Sequence, residues 1–154
     1  MKIKIEVDKD INEDEIIIKC NNLDNNIIAI KKFINNIDAN NQQFIFYKED
    51  KEYYFPLNNI LFFETSSKNI DAHTNDDIYQ IKYKLYELEN ILPNNFIRVS
   101  KSTILNINHI YSINHNITSS STVEFHKSYK QVYVSRFYYK ELKERLKERR
   151  NYEK

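Results

Sequence analysis

Apolar residues change their rhythm near residue 43, and the change divides the chain. Ile3, Ile5 and Val7 alternate with charged residues, the period-2 pattern of a half-buried strand. Ile16 to Lys19 is a second short run rich in β-branched residues. Ile27, Ile28, Ile30, Ile34 and Ile37 then recur at helical spacing, with Asp24 or Asn25 available as the N-cap. Residues 1–43 therefore read as a small strand-strand-helix appendage, a candidate dimerisation or regulatory segment. Asp38 to Gln43 forms a polar connector to residues 44–154.

Beyond Phe44 the apolar runs become short and closely spaced. Strands are predicted at Phe44 to Tyr47, Tyr53 to Phe55, Ile60 to Glu64, Ile70 to Thr74 and Ile78 to Tyr83. Leu85, Leu88 and Leu92 predict a short helix stopped by Pro93. Five further strands follow, at Ile97 to Val99, Thr103 to Leu105, Ile110 to Asn114, Thr122 to His126 and Gln131 to Val134. Phe137 to Arg150 reads as a closing helix, with Leu142 and Leu146 four apart on one face. Short strands without alternating βα units predict a mainly β fold, as a sandwich or as several small packed antiparallel sheets.

Composition narrows the function classes. A hydrophobic fraction of 41% and an aromatic fraction of 14% suit a packed globular chain. No apolar run has the length of a membrane span, and no signal-peptide core follows Met1 to Lys4. Cys20 is the single cysteine, so no intramolecular disulfide can form, and a cytoplasmic location is expected. Glycine is absent, which excludes the phosphate-cradling glycine loops of most nucleotide enzymes. Asn58-Asn59, Asn94-Asn95 and Asn75-Asp76-Asp77 are expected to take over the left-handed turn positions. The formal net charge is +1, but it is unevenly spread. Residues 1–64 hold 8 Lys/Arg against 12 Asp/Glu, while residues 65–154 hold 15 against 10. A steering field can come from one positive face of a near-neutral protein.

Candidate chemistry gathers in that positive half. Arg136 precedes the final helix, where a planar guanidinium can reach guanine O6 and N7 or simply pair with Glu141. Thr65 to Asn69 is a short polar loop carrying Lys68 and Asn69, suited to backbone-positioning hydrogen bonds. Ser100, Lys101 and Ser102 form a polar turn between two strands. Tyr138 can reach a phosphate from the helix start, Tyr139 should pack inward, and Lys140 opens a charged helix face. Arg98 and Asn106 admit two roles, DNA contact or the fixing of a turn. The four histidines show no metal spacing, and no nucleophile arrangement or cofactor site is recognisable.

Three blocks in order carry a family resemblance. Asn95 to Ile110 reads NFIRVSKSTILNINHI, Val134 to Leu142 reads VSRFYYKEL, and Ile60 to Glu64 precedes the polar loop Thr65 to Asn69. Together they resemble the LytTR family of bacterial DNA-binding domains, over about two thirds of the chain. The resemblance implies three small antiparallel sheets stacked into an elongated block, meeting double-stranded DNA through loops. It implies that Arg136 is a major-groove contact and that the loop at 65–69 enters that groove. Ser100 and Lys101 stand where the family has histidine and arginine, so Lys101 keeps the charge without the bidentate fork and suits phosphate contact. Ile70 stands near a position where a polar base reader is expected. The appendage is too short for the family's usual receiver domain. Stand-alone members of the family bind paired sites as homodimers and work with a small membrane-protein inhibitor. The resemblance thus implies a sequence-specific transcription regulator. A protein- or ligand-binding module with vestigial DNA contact is the alternative.

Overall fold

The computed structural model describes residues 5–7, 10, 15–41, 43–115 and 120–152. The first helix, α1 (Asn25–Asn41), forms as its isoleucine spacing predicts. Its cap is Asp24, whose Oδ1 accepts from the Ile27 amide at 2.9 Å. The two strands expected before it are not present at residues 5–7 and 15–20, and Ile3 lies outside the described residues. Ile5 and Val7 are 84% and 88% exposed, so the alternating pattern there has no sheet edge to pair with and no core to face. The described appendage is one capped helix with irregular chain before it.

The remainder follows the predicted order with small shifts at strand ends. Its strands are β1 (Phe46–Lys48), β2 (Lys51–Tyr53), β3 (Phe62–Thr65), β4 (Ile70–His73) and β5 (Ile78–Ile81). After α2 (Leu85–Ile91) come β6 (Phe96–Arg98), β7 (Thr103–Asn106), β8 (Ile110–His115), β9 (Ser121–Phe125) and β10 (Gln131–Val134), and then α3 (Arg136–Tyr152). The strands form two antiparallel sheets, β2-β1-β5-β4-β3-β7-β6 and β10-β9-β8. Three sheets were implied by the resemblance. A single register pair, Tyr47 with Gln80, joins the β1–β2 hairpin to β5 and merges two of them.

The missing glycines are replaced, but not by asparagine. Among the described residues, positive φ falls at Glu49 (49°), Asp50 (60°) and Lys127 (56°). Lys48 pairs with Lys51, so Glu49 and Asp50 are the two central residues of a tight hairpin turn that requires positive φ at both. Asn58 and Asn59 lie instead in a short 3-10 turn. The chain at 74–77 closes through a threonine: the Asp77 amide donates to Thr74 Oγ1 at 3.0 Å.

Two cores lie on opposite faces of the large sheet. Phe63, Ile104 and Phe96 point to one, with Phe44, Phe46 and Leu88 of α2. Phe62, Leu105 and Ile97 point to the other, shared with Val123 and Phe125 of β9, Val132 and Val134 of β10, and Leu142 of α3. Alternate residues of β3, β6 and β7 thus serve opposite cores, which is why these strands read as nearly continuous apolar runs.

Candidate nucleic-acid interface

One edge of the molecule collects the three sequence blocks, and backbone hydrogen bonds hold them there. The β3–β4 turn comes first. Thr65 pairs with Ile70, and the Ser66 amide donates to the Asn69 carbonyl at 2.9 Å. Ser66 Oγ also donates to Asp71 Oδ1 at 3.1 Å, which leaves Lys68 and Asn69 exposed at the tip. The β6–β7 turn lies beside it, because the Thr65 amide donates to the Ser102 carbonyl at 2.9 Å. The start of α3 adjoins that turn in its own right. The Ser135 amide donates to the Val99 carbonyl at 2.9 Å, immediately before Arg136.

The β6–β7 turn is stiffened from within. The Arg98 guanidinium donates from Nε to the Ser100 carbonyl at 2.7 Å and from Nη2 to the Lys101 carbonyl, while Nη1 meets Glu89 Oε2 at 2.8 Å. With its side chain 17% exposed, Arg98 braces the turn through these bonds. Ser100 Oγ accepts from the Ser102 amide at 3.2 Å, which leaves the Lys101 side chain exposed between the two serines.

Asn106 is wholly buried and also structural. Its Nδ2 donates to the Ile60 carbonyl at 3.0 Å, and its Oδ1 accepts from Asn95 Nδ2 at 2.9 Å and from the Asn108 amide at 3.1 Å. Ile70 is 5% exposed and belongs to the first core, so no base reader stands at that position.

Arg136 is the first residue of α3 and is exposed. Lys140 lies one turn further along the same face and is exposed as well. Tyr138 is half-buried, and its ring meets that of Phe137 edge-on at 5.0 Å. Tyr139 packs on the second core and places its hydroxyl 3.2 Å from His115 Nε2, as its inward prediction requires.

These three loop segments match a known module. A family model described as the LytTr DNA-binding domain covers residues 50–147. The chain belongs to the LytTR family of DNA-binding domains. It is a DNA-binding transcription regulator. Over 147 residues it is 29% identical to a Staphylococcus aureus (strain NCTC 8325) protein named as an uncharacterised HTH-type transcriptional regulator, covering 95% of this chain and 98% of that one. A Staphylococcus aureus (strain MRSA252) protein of the same description is 27% identical, with the same coverage. Among solved structures, the LytTr DNA-binding domain of a Bacillus cereus protein assigned as a methyl-accepting/DNA response regulator superposes with a TM-score of 0.63 at 26% identity. That match covers 68% of this chain and 95% of the Bacillus cereus chain. Among the described residues of this LytTR protein, strands separate every pair of successive helices, so no helix-turn-helix is formed.

The far end of the LytTR fold is a polar clamp between the sheets. Lys130 Nζ, before β10, donates to the carbonyls of Thr74 and Asp77 at 2.8 and 2.9 Å. Partial burial holds the Lys130 ammonium below the usual lysine pKa. The Lys48 ammonium sits 2.6 Å from Asp77 Oδ1, and this hydrogen bond draws the Asp77 carboxyl below the usual range and raises Lys48.

His73 is a different case, with both ring nitrogens buried and unpartnered. Burial is the main cause pushing its pKa from 6.5 to about 4, with the Lys130 charge adding to it. Glu64 Oε2 lies 3.8 Å away, too far for a hydrogen bond, and a neutral imidazole makes no ion pair with it. The ring instead stacks on Phe62 at 4.1 Å and 14°. Lys130 and His73 gave no sequence signal, because each depends on which strands the topology brings together.

No helix among the described residues is long and apolar enough to cross a membrane.

Proposed function

We propose that this regulator reads specific duplex sequences through the three loop segments at 65–69, 99–102 and 135–140. The observation that carries the proposal is the pair of backbone hydrogen bonds, Thr65 to Ser102 and Ser135 to Val99, which joins them into one exposed edge. Arg136 takes the base-reading role, since its fork matches guanine O6 and N7. Lys101, Lys140 and Lys68 act on phosphates as point charges. Ser100, Ser102, Asn69 and Tyr138 add neutral hydrogen bonds that set register. Arg98 and Asn106 act indirectly, by fixing the turns.

Residues 1–43 form a separate appendage in this reading, and a second copy of the chain covers it. Ile16, Ile17, Leu23 and Phe33 are 66%, 65%, 70% and 66% exposed, an apolar surface that a homodimer would bury. A small membrane-protein inhibitor would then compete for the same surface in the cytoplasm. The direct test is electrophoretic mobility of the DNA upstream of the chain's own coding sequence. The proposal expects a discrete shifted band that resists scrambled competitor and weakens steeply with salt. Equal displacement by scrambled and cognate competitor would refute sequence-specific reading.

A further inference from the structure

Phe137 is the residue on the DNA-facing edge that the polar contact scheme leaves without a role. It is 84% exposed, in the first turn of α3 directly after Arg136. Its described ring contact is the edge-on Tyr138 ring at 5.0 Å. By contrast, Tyr139 and Leu142, further along α3, are packed on the second core. A phenylalanine so placed contributes little to the fold, because the apolar area it carries stays in water. It does so on an edge whose other exposed side chains are polar, among them Thr65, Lys68, Asn69, Lys101 and Lys140.

DNA presents one apolar group to such an edge. The major-groove face of thymine carries a 5-methyl, and apolar side chains recognise it by contact. Phe137 follows Arg136 in the first turn of α3, so the two side chains leave the helix about 100° apart and meet different base pairs of one groove. We infer that Phe137 is a specificity-determining residue that packs against the thymine methyl next to the base read by Arg136. This rests on the reading of residues 135–140 as a base-contacting segment.

The test removes the methyl and the ring in turn. Wild-type protein selects a bound sequence from a random duplex pool, and that sequence is amplified with either dTTP or dUTP. Uracil pairs as thymine does but lacks the 5-methyl. The wild type should bind the uracil duplex about fourfold more weakly per methyl contacted. Phe137→Ala should bind both duplexes equally, at the wild-type affinity for the uracil duplex. The exposed position makes the variant a mild one for folding, and circular dichroism checks that. Equal wild-type affinity for the two duplexes overturns the inference. So does a Phe137→Ala variant that keeps the wild-type ratio between them, which shows that the ring does not read the methyl. Failure to select any sequence from the pool sinks the sequence-reading proposal itself, and this inference with it.

Discussion

The amide of Ser135 donates to the carbonyl of Val99 at 2.9 Å, across 36 positions of sequence, and so fixes the residue before Arg136 to the turn that carries Lys101. Two candidate contacts on different elements therefore share one rigid support, and their spacing is set before DNA arrives. Ser135→Pro deletes that donor and leaves the Val99 carbonyl without it. The variant should stay folded, lose about 1–3 kcal/mol of stability, and bind its selected duplex on the order of tenfold more weakly, as expected for loosened positioning. Denaturant titration and fluorescence anisotropy measure the two effects. Unchanged DNA affinity in a destabilised variant would show that the clamp does not position the contacts.

Arg98 supports the same turn from the other side. Removing it with Arg98→Ala unpairs the Ser100 and Lys101 carbonyls and the Glu89 carboxylate. Loss of such charge-assisted hydrogen bonds costs about 2 kcal/mol at a mostly buried site. DNA affinity should fall as well, with the salt dependence unchanged, because Arg98 neutralises no phosphate. A salt slope reduced by about one counterion would instead make Arg98 a direct contact.

His73 gives the fold a pH signature. The folded pKa of about 4 lies below the ordinary value of 6.5, so the unfolded chain binds the extra proton between those limits. Stability from this group is complete above pH 6.5 and is lost as pH falls towards 4. The loss is on the order of 3 kcal/mol. His73→Phe keeps the stack on Phe62 and removes the titration, so its melting temperature should vary less than the wild type's across that window. Parallel curves for the two proteins would refute the assignment.

The appendage is tested by sedimentation. The full chain should be a dimer at tens of micromolar, on the order of ordinary cellular affinities, and a chain lacking residues 1–43 should be a monomer that still binds a half-site. A monomeric full chain, or a dimer that survives truncation, would show that the exposed surface around Leu23 and Phe33 is not the interface.

The β-rich body was legible because its strands are short and its turns polar, and Pro93 marks the end of α2 as expected. The N-terminal strands failed for the opposite reason. Ile5 and Val7 have the right alternation, but alternation cannot say whether a partner edge exists. The positive-φ positions went to Glu49 and Asp50 because hairpin register, not residue preference, decides where a two-residue turn falls. At the candidate interface, Arg136 and Lys101 could be named from local sequence, since Lys101 lies in the turn between two strands and Arg136 opens the helix just after a strand. The bonds by which Arg98 braces its turn could not be read from sequence, because they depend on Glu89 and the two carbonyls being placed around it.

The central claim is that Arg136 reads a base edge while Lys101 holds a phosphate on the same rigid edge. Binding isotherms of Arg136→Ala and Lys101→Ala on a selected and a scrambled duplex, at several salt concentrations, test it most directly. Arg136→Ala should lose about 1–3 kcal/mol on the selected duplex alone and relax preference at one base position. Lys101→Ala should weaken both duplexes alike and lower the salt slope by about one counterion. If the Arg136 variant loses affinity equally on both duplexes, it too is a phosphate contact. If neither variant loses affinity on either duplex, the DNA surface is not this edge.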